Sequence, residues 1–140
     1  MKTRSADVHW DGRLRDGNGQ IELESGAFTG PYSYGSRFEE AGGTNPEELI
    51  GAASASCFTM ALALNLEEKG HPPEELRTSA AVTLDPDALE ITTIELVVDG
   101  AVPGIDAAAF REAAEAAKDE CPVSKALAGV DISIEATLEG

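Results

Sequence analysis

An α+β fold is predicted for this chain of 140 residues, with antiparallel sheets wrapping one long, apolar, central helix. Three observations carry that expectation. A run rich in Ala, Ser and Leu, PEELIGAASASCFTMALALNLEEKG, sits between clear helix start and stop signals. Alternating and β-branched runs lie before and after it. Those runs, with the helix between them, sum to antiparallel sheets enclosing a central apolar helix.

The first strands are expected at Asp7–Trp10, Gln20–Glu24 and Tyr32–Phe38. Asp16-Gly17-Asn18-Gly19 is a hairpin signal between the first two. Thr44 and Asn45 can cap the long helix, and Pro46 suits its first turn. Glu47 and Glu48 complement the positive end of its dipole. Leu49, Ile50, Ala53, Cys57, Met60, Ala61 and Leu64 recur at three- and four-residue steps. Most of the remaining positions are also apolar, so the helix is expected to be buried all round. Gly70 and then Pro72-Pro73 end it. Thr78–Leu84 and Glu90–Val98 read as strands joined by a turn at Asp85-Pro86-Asp87. A second helix runs from Asp106, its cap, to about Lys118, with Ala107, Phe110, Ala114 and Ala117 on one face. Cys121 precedes a short third helix opened by Pro122. Val130–Leu138 is the last strand, with Ile132, Ile134, Ala136 and Leu138 pointing one way.

The chain has the length of a single domain, residues 1–140. No apolar leader is read at the N-terminus, and no uncharged apolar stretch of about 18 residues is read as a membrane span. The expected location is therefore cytoplasmic, where thiols stay reduced. There are 26 acids against 10 bases, a net charge of −16. Such a surface repels nucleic acid and anionic membrane, because both require clustered Lys and Arg. The acids are spread in pairs with little lysine, which fits either a high-salt cytoplasm or an ordinary acidic protein.

The chain holds two cysteines, Cys57 inside the long helix and Cys121 at the start of the third. Each has an inert reading: a small buried hydrophobe for Cys57 and an idle thiol before a proline for Cys121. A metal site is disfavoured, since His9, His71 and the cysteines show no paired-ligand spacing. Gly17-Asn18-Gly19 does not stand between a strand and a helix, so nucleotide binding has no support.

Taken together, GTNPEELIGAASASCFTMAL, AVPGIDAAAF and CPVSKAL, preceded by HWDG, ESG and SRFEE, resemble the OsmC/Ohr family of osmotically inducible and organic-hydroperoxide-resistance proteins. The similarity covers nearly the whole chain and is nearer the OsmC branch. The resemblance implies an OsmC-like fold, an intertwined homodimer with sites at the subunit interface, and thiol-dependent peroxidase activity without haem, metal or selenium. It assigns Cys57 as the peroxidatic cysteine and Cys121 as the resolving one. It also assigns Arg37 as the active-site arginine and Glu47 as its acid. Ser54 stands where OsmC-type sequences often carry histidine, a departure that bears on pocket shape and substrate preference.

The chemistry fits those residue types. A thiolate is the nucleophile, and burial in an apolar helix would raise the Cys57 pKa. A permanent cation such as Arg37 would offset that. Without the resemblance, Arg37 reads as a surface arginine beside Glu39 or Glu40. Cys57 would attack a hydroperoxide, become a sulfenic acid and condense with Cys121. An external dithiol of the lipoyl type would then reduce the disulfide. Glu47 would hold Arg37 in a charge-assisted pair, with Glu48 the other candidate acid. In a straight helix Glu47 and Cys57 lie about 15 Å apart, so a break at Gly51 or a bridge by Arg37 is expected if they share a site. Phe58, Met60 and Leu62 are candidates to line a pocket for an organic peroxide. The competing expectation is a stress-induced, non-enzymatic dimer that binds small hydrophobic ligands, in which Cys57→Ser would leave binding intact.

Overall fold

The computed structural model describes residues 1–139. The chain forms two compact units, Met1–Leu49 and Ile50–Gly140. Each has its own three-stranded sheet.

In the first unit β1 (Ala6–Asp11), β2 (Asn18–Leu23) and β3 (Thr29–Tyr32) form an antiparallel meander in the order β1-β2-β3. The third expected strand is corrected. The strand ends at Tyr32, and Tyr34–Phe38 is a short helix, α1. Its cause is a reciprocal cap. Ser33 Oγ accepts from the Ser36 N–H at 3.1 Å, and Ser36 Oγ accepts from the Ser33 N–H at 2.8 Å. The aromatic alternation Tyr32, Tyr34 masked this Ser-x-x-Ser signal.

The long helix α2 runs Pro46–Glu68. Asn45 caps it, its Oδ1 accepting from the Glu48 N–H at 2.7 Å. Gly70 stops it in the left-handed region at φ 83°. The Gly70 N–H donates to Glu67 O and the His71 N–H to Leu66 O, the paired bonds of a Schellman end. The helix runs through Gly51 without a break, so of the two ways for Glu47 and Cys57 to share a site only a bridge by Arg37 is left.

The second unit packs α2 against β4 (Glu75–Asp85), β5 (Glu90–Ala101), β6 (Asp131–Leu138) and α3 (Ala107–Glu120). Phe58, Leu62 and Leu66 of α2 are fully buried with Ile94, Leu96 and Val98 of β5. Phe110, Ala113, Ala114 and Ala117 complete the core from α3, and the expected Ala107 is instead exposed. The Phe110 ring lies over Gly100, where a Cβ would stand 2.5 Å from it. Asp106 caps α3 as expected, accepting from the Ala109 N–H at 2.8 Å.

Two sequence expectations change here. The sheet is mixed rather than antiparallel: β4 and β5 are antiparallel, but β5 and β6 are parallel. Returning to a parallel register needs a long connection, and α3 with α4 (Pro122–Ala126) supplies it. Nor is α2 buried all round. Gly51, Ser54, Phe58, Leu62 and Leu66 form its inner face, while Met60 is 75% exposed and Leu64 54%. The helix is apolar on every side, so periodicity could not tell the inner face from the outer. The residues 49–66 carry no charge, and α2 is long and apolar enough to cross a membrane. In the structure it is a core helix on one side only, which also corrects the reading that no such stretch exists.

Candidate functional site

Arg37 and Glu47 meet in the first unit. Arg37 lies in the last turn of α1, and Glu47 in the first turn of α2. The segment between them is tied down. Thr44 N–H donates to Pro31 O at 2.9 Å. Ser36 Oγ donates to Thr44 O at 2.6 Å, and Asn45 Nδ2 donates to Ser36 O at 3.1 Å. Asn45 thus caps α2 with one end of its amide and fastens α1 with the other. The result is a forked pair. Arg37 Nη2 donates to Glu47 Oε1 at 2.7 Å and Nε to the same oxygen at 3.0 Å. The Glu47 side chain is 10% exposed, and that of Arg37 is 37% exposed. Glu48 has another partner: its Oε2 accepts from Thr44 Oγ1 at 2.7 Å. Of the two candidate acids, Glu47 is the one that holds the arginine.

The second unit brings the two free cysteines together. Cys57 is half-buried on α2, and Cys121 is fully buried at the joint of α3 and α4. The joint is built by one residue serving both helices. The Cys121 N–H donates to Ala117 O at 3.0 Å and closes α3. Its carbonyl accepts from the Lys125 N–H at 3.1 Å and opens α4, with Pro122 in the first position. The two thiols lie near enough to perturb each other, and their acidities separate. Burial pushes the Cys57 thiol up, and the neighbouring Cys121 thiol pushes it further. Burial also works against the Cys121 thiolate, but the Cys57 thiol, then the backbone N–H groups of Ser124 and Val123, outweigh it and take the net direction down. The sulfur makes no close capping bond to α4, so those N–H groups act at longer range. Two neighbouring thiols of unequal acidity can form a sulfenic acid on one sulfur and a disulfide with the other.

Among the described residues two buried hydroxyls lack a hydrogen-bond partner, Ser54 Oγ and Ser124 Oγ. Ser54 is three residues before Cys57, and Ser124 three residues after Cys121. The expected pocket lining is corrected, since Phe58 and Leu62 are buried in the core and Met60 faces outward. Sequence reasoning missed a cleft of about 330 Å³ in the first unit, lined by Trp10, Tyr32, Tyr34, Phe38, Leu14 and Arg37 among others. Arg37 lies 5.3 Å over the Phe38 ring, and Arg15 4.7 Å over Tyr34. The signal was the aromatic density around SYGSRF, which was read as strand.

Comparison with known proteins decides the family. The family model described as OsmC-like protein matches residues 39–135, a span that holds Glu47, Cys57 and Cys121 and begins two residues after Arg37. The chain belongs to the OsmC family. Within that family it is 48% identical over 127 residues to the peroxiredoxin OsmC of Escherichia coli K12, covering 89% of each chain. The same identity and coverage relate it to the peroxiredoxin OsmC of Shigella flexneri. Its α+β fold is that of solved family structures. An organic hydroperoxide resistance protein OsmC from Legionella pneumophila superposes with a TM-score of 0.75 at 23% identity, covering 98% of both chains. The organic hydroperoxide resistance protein OhrB of Bacillus subtilis gives 0.69 at 27% identity, covering 95% of this chain and 98% of that one.

Proposed function

We propose that this protein reduces organic hydroperoxides by a two-thiol cycle that begins at Cys57 and closes as a Cys57–Cys121 disulfide. That the chain is a cysteine-based peroxidase rests on its 48% identity to OsmC peroxiredoxins over most of its length. The observation that carries the finer reading is the nearness of the two free thiols, one half-buried and one fully buried, each perturbing the other's acidity.

In the first step the Cys57 thiolate attacks the distal peroxide oxygen. An S–O bond forms, the O–O bond breaks, and the alkoxide leaves and is protonated to the alcohol. The Cys121 sulfur then attacks the sulfenic sulfur, and water is released as the S–S bond forms. An external dithiol, by our reading of the lipoyl type, restores both thiols by exchange and is itself oxidised. Burial disfavours the Cys57 thiolate, so the first step requires a cation. The family pattern assigns that role to Arg37, and the fork to Glu47 fixes the guanidinium. The cycle needs no metal or haem, because sulfur carries both electrons.

We assign the working form as a homodimer in the cytoplasm. The support is the outer face of α2, where Met60 and Leu64 stand exposed on a helix otherwise apolar. A second reading, a carrier of small hydrophobic ligands, is favoured by the aromatic cleft of the first unit. One experiment separates the two. Consumption of cumene hydroperoxide and of hydrogen peroxide is followed with a lipoyl dithiol, in high salt, for wild type and Cys57→Ser. The proposal expects turnover with a preference for cumene hydroperoxide, abolished in the variant. Equal turnover by Cys57→Ser, or none by folded, reduced wild type with any dithiol, contradicts it.

A further inference from the structure

We infer that the aromatic cleft of the first unit is a binding site for small aromatic carboxylates, its rings taking the ligand ring and Arg37 the carboxylate. The inference rests on the ligand-binding reading of that cleft, not on the thiol cycle, and names the ligand class. Two ring pairs build the cleft. The first stands on the sheet, where Trp10, Gly19 and Tyr32 are register partners across β1, β2 and β3. A Cβ on Gly19 would collide with both rings, so the glycine lets them close over it. Their centroids are 5.4 Å apart, and the indole is fixed by its Nε1 donating to Gly12 O at 3.0 Å. The second pair is Tyr34 and Phe38, one turn apart on α1, with centroids 5.0 Å apart. All four residues are only half-buried. The chain's single tryptophan and both of its tyrosines thus line one cleft of about 330 Å³. That volume lies at the small end of ligand sites and suits a molecule of one or two rings.

The charge of the lining sets the sign of the ligand. Arg15 stands over the Tyr34 ring and Arg37 over the Phe38 ring, so two guanidinium groups serve one ring pair. Among the described residues no carboxylate lines the cleft, although the chain carries 26 acids. The fork to Glu47 engages Nε and Nη2 of Arg37, and Nη1 has no acceptor among the described residues. A guanidinium held along one edge keeps its other edge for a second carboxylate. The site therefore complements a flat ring bearing one negative charge. The ring packs offset or edge-on against the walls, and the carboxylate takes the free donors. A saturated ring loses the first interaction, and a neutral head loses the second.

Trp10 is the only indole, so its emission reports occupancy of the cleft. Full-length, reduced protein is titrated with phenylacetate, its neutral counterpart phenylacetamide and its saturated counterpart cyclohexylacetate, with binding heats measured in parallel. Phenylacetate should change the emission saturably and bind about tenfold more tightly than phenylacetamide. The net charge of −16 repels anions in general, so that preference can come only from the local cations. Cyclohexylacetate should bind about three- to tenfold more weakly than phenylacetate. Arg37→Gln should bring phenylacetate down to the level of phenylacetamide, and Phe38→Leu should shrink the preference over cyclohexylacetate. Arg37→Gln also unpairs Glu47, so the comparison of the three probes on wild type decides the matter if that variant does not fold. Equal affinity of wild type for phenylacetate and phenylacetamide overturns the inference and leaves an apolar ligand cleft standing. Equal affinity for phenylacetate and cyclohexylacetate also overturns it, since the rings then select nothing. Binding of none of the three removes the ligand-binding reading as well, while the thiol cycle, assayed without them, is untouched.

Discussion

Arg37→Ala leaves the Glu47 carboxylate buried without its fork, whereas Glu47→Ala leaves an arginine already 37% open to water. The two losses should therefore differ. We expect about 2–3 kcal/mol for Arg37→Ala and about 1 kcal/mol for Glu47→Ala, read from denaturant midpoints. The double variant should cost less than the sum. At the thiols the sign is set by opposite displacements. Cys121 is lowered, so one thiolate should appear below the ordinary thiol range, and Cys57 is raised, so the second should appear above it. Thiolate absorbance against pH should show two separate steps, and Cys57→Ala should move the lower step upward. A single step carrying both thiols in wild type would contradict that coupling. The four candidate site residues stand out in the sequence only through the family pattern. Sequence spacing alone left both thiols with inert readings and Glu47 tied with Glu48. The tie is broken by Thr44, whose hydroxyl takes Glu48 and leaves Glu47 to the arginine.

The stop signals of α2 were plain because they are local. Gly70 at φ 83° accepts no Cβ without strain, and Gly70→Ala should destabilise by about 1 kcal/mol with the rest of the fold intact. Helix direction was harder. An alanine- and leucine-rich helix offers no polar stripe, so the inner face of Phe58, Leu62 and Leu66 emerges only from what packs on it. The parallel pairing of β6 was equally hidden, because Ile132, Ile134 and Ala136 alternate the same way in either direction. The helix α1 was missed where aromatic spacing outweighed a two-serine cap. The outer face of α2 carries a prediction at this scale. Leu64→Glu places a charge on the face we assign to the partner subunit, and sedimentation should show dimer giving way to monomer. An unchanged dimer would move the interface elsewhere.

At the scale of the whole molecule the net charge of −16 is the dominant field. Repulsion among spread acids weakens as the screening length falls from about 10 Å at 0.1 M salt to about 3 Å at 1 M. If screening returns about 2 kcal/mol, the melting temperature should rise by about 6–8 °C across that range. A flat response would show that the acids are already balanced by local partners. The fold class was legible at this scale because helix caps, strand runs and turns agreed in order along the chain. The division at Leu49 was not, since α2 carries the chain across it without a turn signal.

The central claim is that the two thiols act as one redox unit. Its most direct test adds one equivalent of cumene hydroperoxide to the reduced protein, without any other reductant, then counts free thiols and maps the bridge by peptide mass. The account predicts the loss of both thiols in each chain and a single bridge between Cys57 and Cys121 of the same chain. Intact thiols, or a stable oxidation of Cys57 with Cys121 still free, would contradict it.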